Sequence, residues 1–552
     1  MNSAATPETL AELLQKKVRG EVRADLAARE RYSTDASIYE IEPLVIVQPK
    51  DEDDVGAVLK FASEQKVPVV ARGAGTGLAG ESLGRAIILD CTVHMTRVLE
   101  LDEKHRTVTV ECGVVLDNLN AELAKKGYRF TVDPSSSARC TVGGVIANNA
   151  SGAHSLRFGD TRTNLVAARV CFIDGSVTVA QPVKMSSADF EQKKNAPGIA
   201  GKIHRELPEL VKKNAAVIAA KKCKAERDRS GYQLRGVLDG EIFDLSRVIC
   251  GCEGTLGIVT KAVLKVEPLP KCTGTAALFF ASVLDATAGV PAIRATNPVC
   301  CELLDKTLIE LGREAVPELS PLLPTDARAM LLIEYEGRDE AEVKQALDVL
   351  KQLFPSPLVG EGRVRALTDE KAQDQMWAVR DSATPLLYRR TDGLRPIPIV
   401  EDGAVPIEKL AEYVARAGTV FEKYKLPWSA YAHAGHGEVH LRPMMDLNRR
   451  EHVEILEPMA SEVHAIVWEL GGTISGEHAE GLVRTQFVPK QAGAELYEVF
   501  KQVKKLFDPE GLLNPDKKIS GDEHLMLKNL RRKPYTVDVP PVNRRQVKPP
   551  SN

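Results

Sequence analysis

Two stretches carry side chains that could move protons or hold a metal. The first is YAHAGHGEVH, Tyr431–His440, which places three of the chain's 11 histidines around two glycines. The second is GGTISGEHAEGLVR, Gly471–Arg484, in which Glu477 and His478 are adjacent. Imidazole titrates near neutrality and is the commonest metal ligand. The spacing is not that of a zinc finger, since no Cys-x-x-Cys lies nearby. It is not His-Glu-x-x-His on a helix either. His433 and His440 are seven apart and would share a helix face, but Gly435 and Gly437 cost a helix about 1 kcal/mol each. One straight strand puts an odd offset on opposite faces. A strand, a glycine turn and a second strand would bring the two rings together. GEVHLRP supports this, with Val439 and Leu441 on one face and His440 and Arg442 on the other. The decapeptide alone also permits a polar turn with solvated histidines.

Three glycine-rich runs could approach a large ligand closely. VARGAGTGLAGE, Val70–Glu81, contains Gly75-Thr76-Gly77-Leu78-Ala79-Gly80, a literal G-x-G-x-x-G. A dinucleotide turn of that pattern must open a helix whose N-terminus meets the pyrophosphate. Here SLGRAIILD leads to another strand, so that reading fails, and no Gly-Lys-Ser/Thr follows for a P-loop. A glycine loop between strands remains. Its bare N–H groups either form an anion nest for a diphosphate or make a tight irregular turn. In DPSSSARCTVGGVIANNASGAHSLRFG, Asp133–Gly159, the small residues Gly143, Gly144, Ala147, Ala150, Gly152 and Ala153 leave a nearly bare surface for a flat ring. Asn148, Asn149 and Ser151 supply hydrogen-bond partners. GCEGTLGIVT, Gly251–Thr260, again sets glycine beside a strand.

A carboxylate ligand needs a cation, and Asp374–Pro406 offers Arg380, Arg389, Arg390 and Arg395. A planar guanidinium grips a carboxylate bidentately, which favours Arg over Lys. Thr384 lies one helical turn beyond Arg380. Arg389 and Arg390 read as a solvated helix end.

The elements that must position these residues follow from the periodicity. PETLAELLQKKV has a helical period, and YSTDASIY reads as a loop. LVIVQP, VPVVAR, AIILDCT, TVTVECG and ARVCFIDGSVTVA read as strands, and DEDDVGAVLKFASEQK as a helix with acids in its first turn. VICGCEGTLGIVTKAVLKVEP reads as strand–turn–strand, and a second alternation of strand and helix runs from about 273 to 515. The chain has 552 residues and a net charge of −3, with no basic excess to suggest nucleic acid. Ten cysteines never form Cys-x-x-Cys, so a four-cysteine iron–sulfur run is absent, and they read as reduced core residues of a cytoplasmic protein. No apolar run is long enough to span a membrane, and the N-terminus lacks a signal-peptide core.

The three glycine runs, in their order and spacing, resemble the FAD-binding domain of the vanillyl-alcohol oxidase (PCMH-type) superfamily. The resemblance implies an α+β fold: a two-subdomain FAD-binding domain over 40–269, then an α/β substrate domain over 270–520. A helical segment, 1–39, precedes them and a Pro/Arg-rich tail, 521–552, follows. By this likeness Arg72, Gly73, Ala74, Gly75, Thr76, Gly77, Leu78 and Gly80 wrap the FAD diphosphate. Pro134, Thr141, Gly143, Gly144, Asn148 and Gly152 line the path to the flavin, completed by Glu253, Gly254, Gly257, Ile258 and Asn514. Ala74 and Thr76 stand where covalent members carry a histidine, which implies non-covalent FAD.

The C-terminal half, with GEHAEG and FDPEGLLNPDKK, resembles flavin-linked 2-hydroxy-acid dehydrogenases: glycolate oxidase flavin subunits, D-lactate dehydrogenases and D-2-hydroxyglutarate dehydrogenases. That resemblance implies that His433, His440 and Glu477 bind a divalent metal. Two imidazoles and a carboxylate with an open position suit zinc and tolerate Mn²⁺ or Co²⁺. It implies that His478, with an ordinary pKa near 6.5, takes the proton of the substrate 2-hydroxyl while the C2 hydride passes to flavin N5. Arg380 would bind the substrate carboxylate, with Thr384, Arg395 and Arg442 as further substrate contacts. His436 stands where many relatives carry an acid.

HLRP and RPIPIVEDGAVP are most like the long bacterial D-2-hydroxyglutarate dehydrogenases, whose flavin half is fused to an iron–sulfur half. D-2-hydroxyglutarate is then the leading substrate, with D-lactate and glycolate as alternatives. Either a separate iron–sulfur subunit or another acceptor takes the electrons, in a homodimer or not, in the cytoplasm or at the inner membrane through that acceptor. The superfamily's alkyl-transferring branch, without net redox, is the reading from a different class.

Overall fold

Asp51 starts the first long helix of the fold. Its carboxylate accepts from the N–H groups of Asp53 and Asp54, at 3.1 and 3.3 Å, satisfying donors the helix cannot. This is one of many local rules obeyed in the computed structural model, which describes residues 6–220, 223–315, 317, 322–355, 364–388 and 393–531.

The N-terminal half contains two main sheets. The first holds β1 (Glu21–Arg23), β2 (Val45–Gln48), β3 (Val69–Arg72) and β4 (Ile87–Asp90), in the order β1-β2-β4-β3. β2 and β3 each run parallel to β4. The glycine run joins β3 to β4 without opening a helix, as its context predicts. The second sheet is antiparallel, with β5 (Val98–Asp102), β6 (Thr107–Glu111), β7 (Leu165–Cys171), β8 (Val177–Ala180) and β9 (Ile258–Lys265) in the order β5-β6-β9-β7-β8.

One local feature differs from the sequence reading, and another forms against helix propensity. Val142–Asn148 forms a helix despite its glycines, capped by the Thr141 hydroxyl, which accepts from Gly144 N–H. The first strand read in VICGCEG is instead a helical turn, Ser246–Ile249. Asp244 accepts there from the Ser246 N–H at 3.0 Å and turns the chain.

The second half is built on an eight-stranded sheet. Its members include β10 (Cys272–Phe280), β11 (Cys300–Asp305), β12 (Ala329–Gly337), β13 (Val364–Leu367), β14 (Trp428–His433) and β15 (Glu438–Met445). They lie in the order β13-β10-β12-β11-β14-β15, all antiparallel. The helix Glu370–Tyr388 carries Arg380.

The halves share their cores. Val499, Phe500, Val503 and Phe507, from the helix Ala494–Phe507, pack among the buried residues of the N-terminal half. Ile38 and Tyr39 pack in the second core. The Tyr39 hydroxyl donates to the carbonyl of buried Met526 at 2.9 Å, so the chain after 520 is packed at least to there. Residues 532–552 of the expected tail, like Arg389 and Arg390, lie outside the described residues. Eight of the ten cysteines are buried, which agrees with a core role. No described helix is long and apolar enough to cross a membrane.

Candidate active site

β14 and β15 form the hairpin that the glycines and the alternation predict. Tyr431 pairs with His440 and His433 with Glu438. Gly437 closes the turn at φ +72°, and a Cβ there would lie 2.0 Å from the Val405 carbonyl oxygen, so only glycine fits. Tyr431, His433, Glu438, His440 and Arg442 therefore project from one face. The His433 and His440 rings stand 5.3 Å apart, and both are buried, which excludes the solvated polar turn. His436 is buried in the turn and is not on the cavity wall. Burial, then Arg227 and His433, push its pKa well down, which keeps it neutral.

Glu477 reaches this face because Asp402 holds its segment. The Asp402 carboxylate accepts from Glu477 N–H at 3.0 Å and from His478 N–H at 2.9 Å. Glu477 Oε1 lies 2.9 Å from His433 Nε2 and 3.4 Å from His440 Nε2. The outer nitrogens fix the tautomers. His440 Nδ1 faces the Glu401 carbonyl at 2.9 Å, and a carbonyl only accepts, so Nδ1 carries the proton and Nε2 presents its lone pair inward. His433 Nδ1 faces the Glu302 carboxylate at 2.7 Å with the same consequence. Two imidazole nitrogens and a carboxylate oxygen thus converge, with the outer hydrogen bonds that orient ligands at metal sites.

The electrostatics fit a cation here. Burial alone would lower the His433 pKa, but Glu302 and Glu477 raise it to about 10. His478 likewise rises to about 9, because Glu401 outweighs burial, and this corrects the expectation of an ordinary imidazole. The carboxylates draw positive charge to the point where the Nε2 atoms meet. A divalent ion held there would take over that charge and oppose protonation of His478. His478 Nδ1 is 2.8 Å from Glu401 Oε1, and its Nε2 is 3.4 Å from Glu477 Oε1.

Arg227 is a partner that the sequence reading missed. Its guanidinium donates to Glu477 Oε2 at 3.1 Å, to the Gly152 carbonyl at 3.1 Å and to Glu438. The Ser151 hydroxyl donates to the same Oε2 at 2.6 Å. Donors from the N-terminal half therefore occupy Oε2 and leave Oε1 for the histidines. Arg227→Met is expected to weaken metal affinity by about 10- to 100-fold, with turnover largely restored by excess metal. Metal titration followed by calorimetry checks this, and unchanged affinity contradicts it.

Arg380 faces the same space. Its Nη2 donates to Glu302 Oε2 at 2.8 Å, so Glu302 bridges Arg380 and His433. Burial alone would raise the Glu302 carboxyl, but His433 and Arg380 bring its pKa down to about 2. The helix of Arg380 is fixed by Trp377, whose ring stacks on His154 at 5.6 Å and whose indole N–H donates to Glu334 at 2.7 Å. His154 in turn sits between Asp133 and Glu334, at 2.7 and 3.1 Å. Arg442 Nη2 donates to Glu401 at 3.1 Å and to the Tyr431 hydroxyl at 2.8 Å, and Nη1 donates to the Tyr388 hydroxyl. Arg395 does not join them. It sits in a short strand paired with Met445, donates to the Leu394 carbonyl and is not among the residues lining the cavity. The side chain of Thr384 lies outside the described residues.

Arg380, Tyr431, His433, His440, Arg442, Glu477 and His478 open on one cavity of about 610 Å³, a volume typical of cofactor sites. Arg72, Gly73, Ala74, Gly75, Thr76, Gly77 and Leu78 line it from the first run. Pro134, Thr141, Gly143, Gly144 and Asn148 line it from the second, and Glu253, Gly254, Gly257 and Ile258 from the third. The bareness of the walls is required: a Cβ on Gly73 would stand 2.4 Å from Thr141 Oγ1. Arg31, Arg72, Arg139 and Arg531 give part of the lining positive charge, which suits a diphosphate.

Gly80, Gly152 and Asn514 are not among the residues lining this cavity, and each supports the wall through its neighbours. Gly80 turns at φ +79° against Tyr39 and Leu482. Gly152 passes so close to Asp133 that a Cβ would meet its carbonyl oxygen at 2.4 Å. Asn514 donates to the carbonyls of Glu81 and Glu253, at 2.8 and 2.7 Å, and so ties the first run to the third.

Known proteins show the same division. Residues 43–181 match the family described as FAD binding domain, and residues 269–518 the family described as FAD linked oxidases, C-terminal domain. A D-2-hydroxyglutarate dehydrogenase of Pseudomonas putida is 34% identical over 93% of this chain and 52% of its own length. The chain thus spans about half the length of the D-2-hydroxyglutarate dehydrogenases it matches. A D-lactate dehydrogenase of Archaeoglobus fulgidus is 30% identical over 86% of this chain and 91% of its own. The structure of 4-ethylphenol oxidase from Gulosibacter chungangensis superimposes with a TM-score of 0.66, covering 94% of this chain and 97% of the other at 15% identity, a likeness of fold alone. With both domains matched in order, and a relative of similar length at 30% identity, the chain belongs to the FAD-linked oxidase family.

Proposed function

We propose that this chain is an FAD-dependent dehydrogenase that oxidises a D-2-hydroxy acid to the 2-oxo acid, with D-2-hydroxyglutarate as the leading substrate. One observation carries the reading: Arg380, Arg442, His433, His440, Glu477 and His478 share a wall of the cavity that the three glycine runs line. Bound FAD supplies the acceptor for two electrons and the C2 hydrogen. A divalent metal on His433, His440 and Glu477, zinc in the leading reading, supplies Lewis-acid polarisation of the 2-hydroxyl.

The protein's own groups do the rest. Arg380, braced by Glu302, grips the C1 carboxylate and sets which face of C2 meets the flavin. His478 takes the hydroxyl proton on Nε2, because Glu401 holds the proton on Nδ1. Arg442 offers a second cation for a second carboxylate. The proposal extends to non-covalent FAD, since the cavity lining has Ala74 and Thr76 in its glycine loop. An iron–sulfur polypeptide as electron acceptor, a homodimer and a cytoplasmic location are its further parts, all resting on the family resemblance.

A panel of substrates tests it. The flavoprotein is mixed anaerobically with D-2-hydroxyglutarate, D-lactate, glycolate and the L-enantiomers. D-2-hydroxyglutarate is expected to reduce the flavin at least about 100-fold more efficiently than D-lactate, since a missing carboxylate leaves a buried cation unpaired. Preference for D-lactate or glycolate overturns the substrate. No reduction by any acid overturns the dehydrogenase reading in favour of a transferase.

A further inference from the structure

We propose that Tyr431 is a specificity-determining residue, whose hydroxyl acts with Arg442 to recognise a second carboxylate, so that the site selects dicarboxylic over monocarboxylic 2-hydroxy acids. The inference rests on the dehydrogenase reading above.

Tyr431 lies on the cavity wall, directly across the hairpin from His440. Its ring packs against the His440 ring at 4.5 Å, which fixes where the hydroxyl points. That hydroxyl accepts from Arg442 Nη2 at 2.8 Å. An oxygen that accepts from a guanidinium turns its own proton away from it, so the Tyr431 O–H is a donor for a further acceptor. The Arg442 cation stands over the Tyr431 ring at 5.6 Å and over the Tyr388 ring at 5.9 Å.

Arg442 shares its carboxylate partner with other groups. Its carboxylate partner is Glu401, at 3.1 Å. The same carboxylate serves His478 at 2.8 Å, His440 at 3.2 Å and Arg484 at 3.6 Å. Asp402 also faces Arg484 and His478, at 3.6 and 3.8 Å, and Glu477 faces both imidazoles at 3.4 Å, whereas Arg442 has only its share of Glu401 among the described ion pairs. A ligand carboxylate at the Arg442–Tyr431 pair would give Arg442 a carboxylate partner of its own. Arg380, on the same wall, keeps separate carboxylate partners in Glu302 and Asp381, at 2.8 and 3.4 Å, and also acts electrostatically on the Tyr431 hydroxyl. Two cations with a phenol near both match a substrate carrying two carboxylates. A monocarboxylic acid would leave a polar pair desolvated without its partner.

The test is Tyr431→Phe in the FAD- and metal-loaded protein. The phenyl ring preserves packing on His440 and removes only the hydroxyl. For D-2-hydroxyglutarate, kcat/KM is expected to fall by about 10- to 100-fold, the loss of one hydrogen bond to a charged group, while for D-2-hydroxybutanoate it stays within about threefold. In the oxidised enzyme, the Kd of 2-oxoglutarate, read from perturbation of the flavin spectrum, should rise by a similar factor and that of 2-oxobutanoate should not. An equal fall for both acids shows that Tyr431 acts on something the two substrates share and overturns the inference. So does the absence of any change. A wild-type enzyme that handles both acids equally also overturns it, while the dehydrogenase reading stands. If no 2-hydroxy acid reduces the wild-type flavin, the dehydrogenase reading fails and this one with it.

Discussion

His440→Ala is expected to lower turnover at least about a thousandfold, equivalent to about 4 kcal/mol of transition-state stabilisation. The bound metal should be lost with it, while FAD stays bound. The reason is the geometry of one ring. The Glu401 carbonyl fixes the proton on His440 Nδ1, so Nε2 presents its lone pair to the point where His433 Nε2 and Glu477 Oε1 meet. Deleting the ring leaves two ligands, too few to hold a divalent ion tightly. The glycine runs that line the rest of the cavity are untouched. His436→Gln, in the same turn but off the cavity wall, is expected to retain the metal. Metal analysis of the purified variants, beside flavin content and kcat, checks both. Retained metal and retained turnover in His440→Ala would remove His440 from the ligand set.

Arg380→Met is expected to lower kcat/KM by about 100- to 1,000-fold, the range for removing one partner of a buried, hydrogen-bonded charge pair. Two losses combine. The substrate C1 carboxylate loses its bidentate partner, and Glu302 loses one of the two cations that keep it ionised. Glu302 then depends on His433 alone, and the orientation of His433 weakens with it. Arg380→Lys should recover only part of the loss, since an ammonium cannot reproduce the planar fork. The split between kcat and KM is informative. A rise in KM alone would mean uniform binding, whereas a fall in kcat as well shows that Arg380 orients C2 for transfer. Circular dichroism and flavin content of the variants separate these effects from loss of fold. Unchanged kcat/KM would show that Glu302 is the whole purpose of Arg380.

The part of the site that the sequence made legible is its local part. The hairpin Trp428–Met445 follows from a period of two and two glycines, because neighbours in sequence are neighbours across a tight turn. The three glycine runs were legible for the same reason, since absent side chains are visible without a fold. The deeper supports were not. Glu302 braces His433 across 131 positions, and Arg227 braces Glu477 across 250. No periodicity within one chain reports such pairs. A weaker signal was present, since CCELLD and PIVEDGAV each put carboxylates in apolar surroundings where unpaired charge is costly. Arg395 shows the converse. It stands near Arg380 in sequence, but strand pairing with Met445 keeps it off the cavity wall. The helix Val142–Asn148 overrides the low propensity of two adjacent glycines because Thr141 caps it and Val142, Val145 and Ile146 are buried.

The most direct measurement is flavin absorbance on anaerobic mixing with D-2-hydroxyglutarate, made on the loaded protein, after EDTA treatment, and again after zinc or manganese is restored. Loss of the oxidised-flavin band in the first sample, its persistence in the second and its loss in the third are expected. Equal bleaching in all three would contradict a metal on His433, His440 and Glu477. Persistence of the band throughout, with FAD still bound, would contradict the dehydrogenase itself.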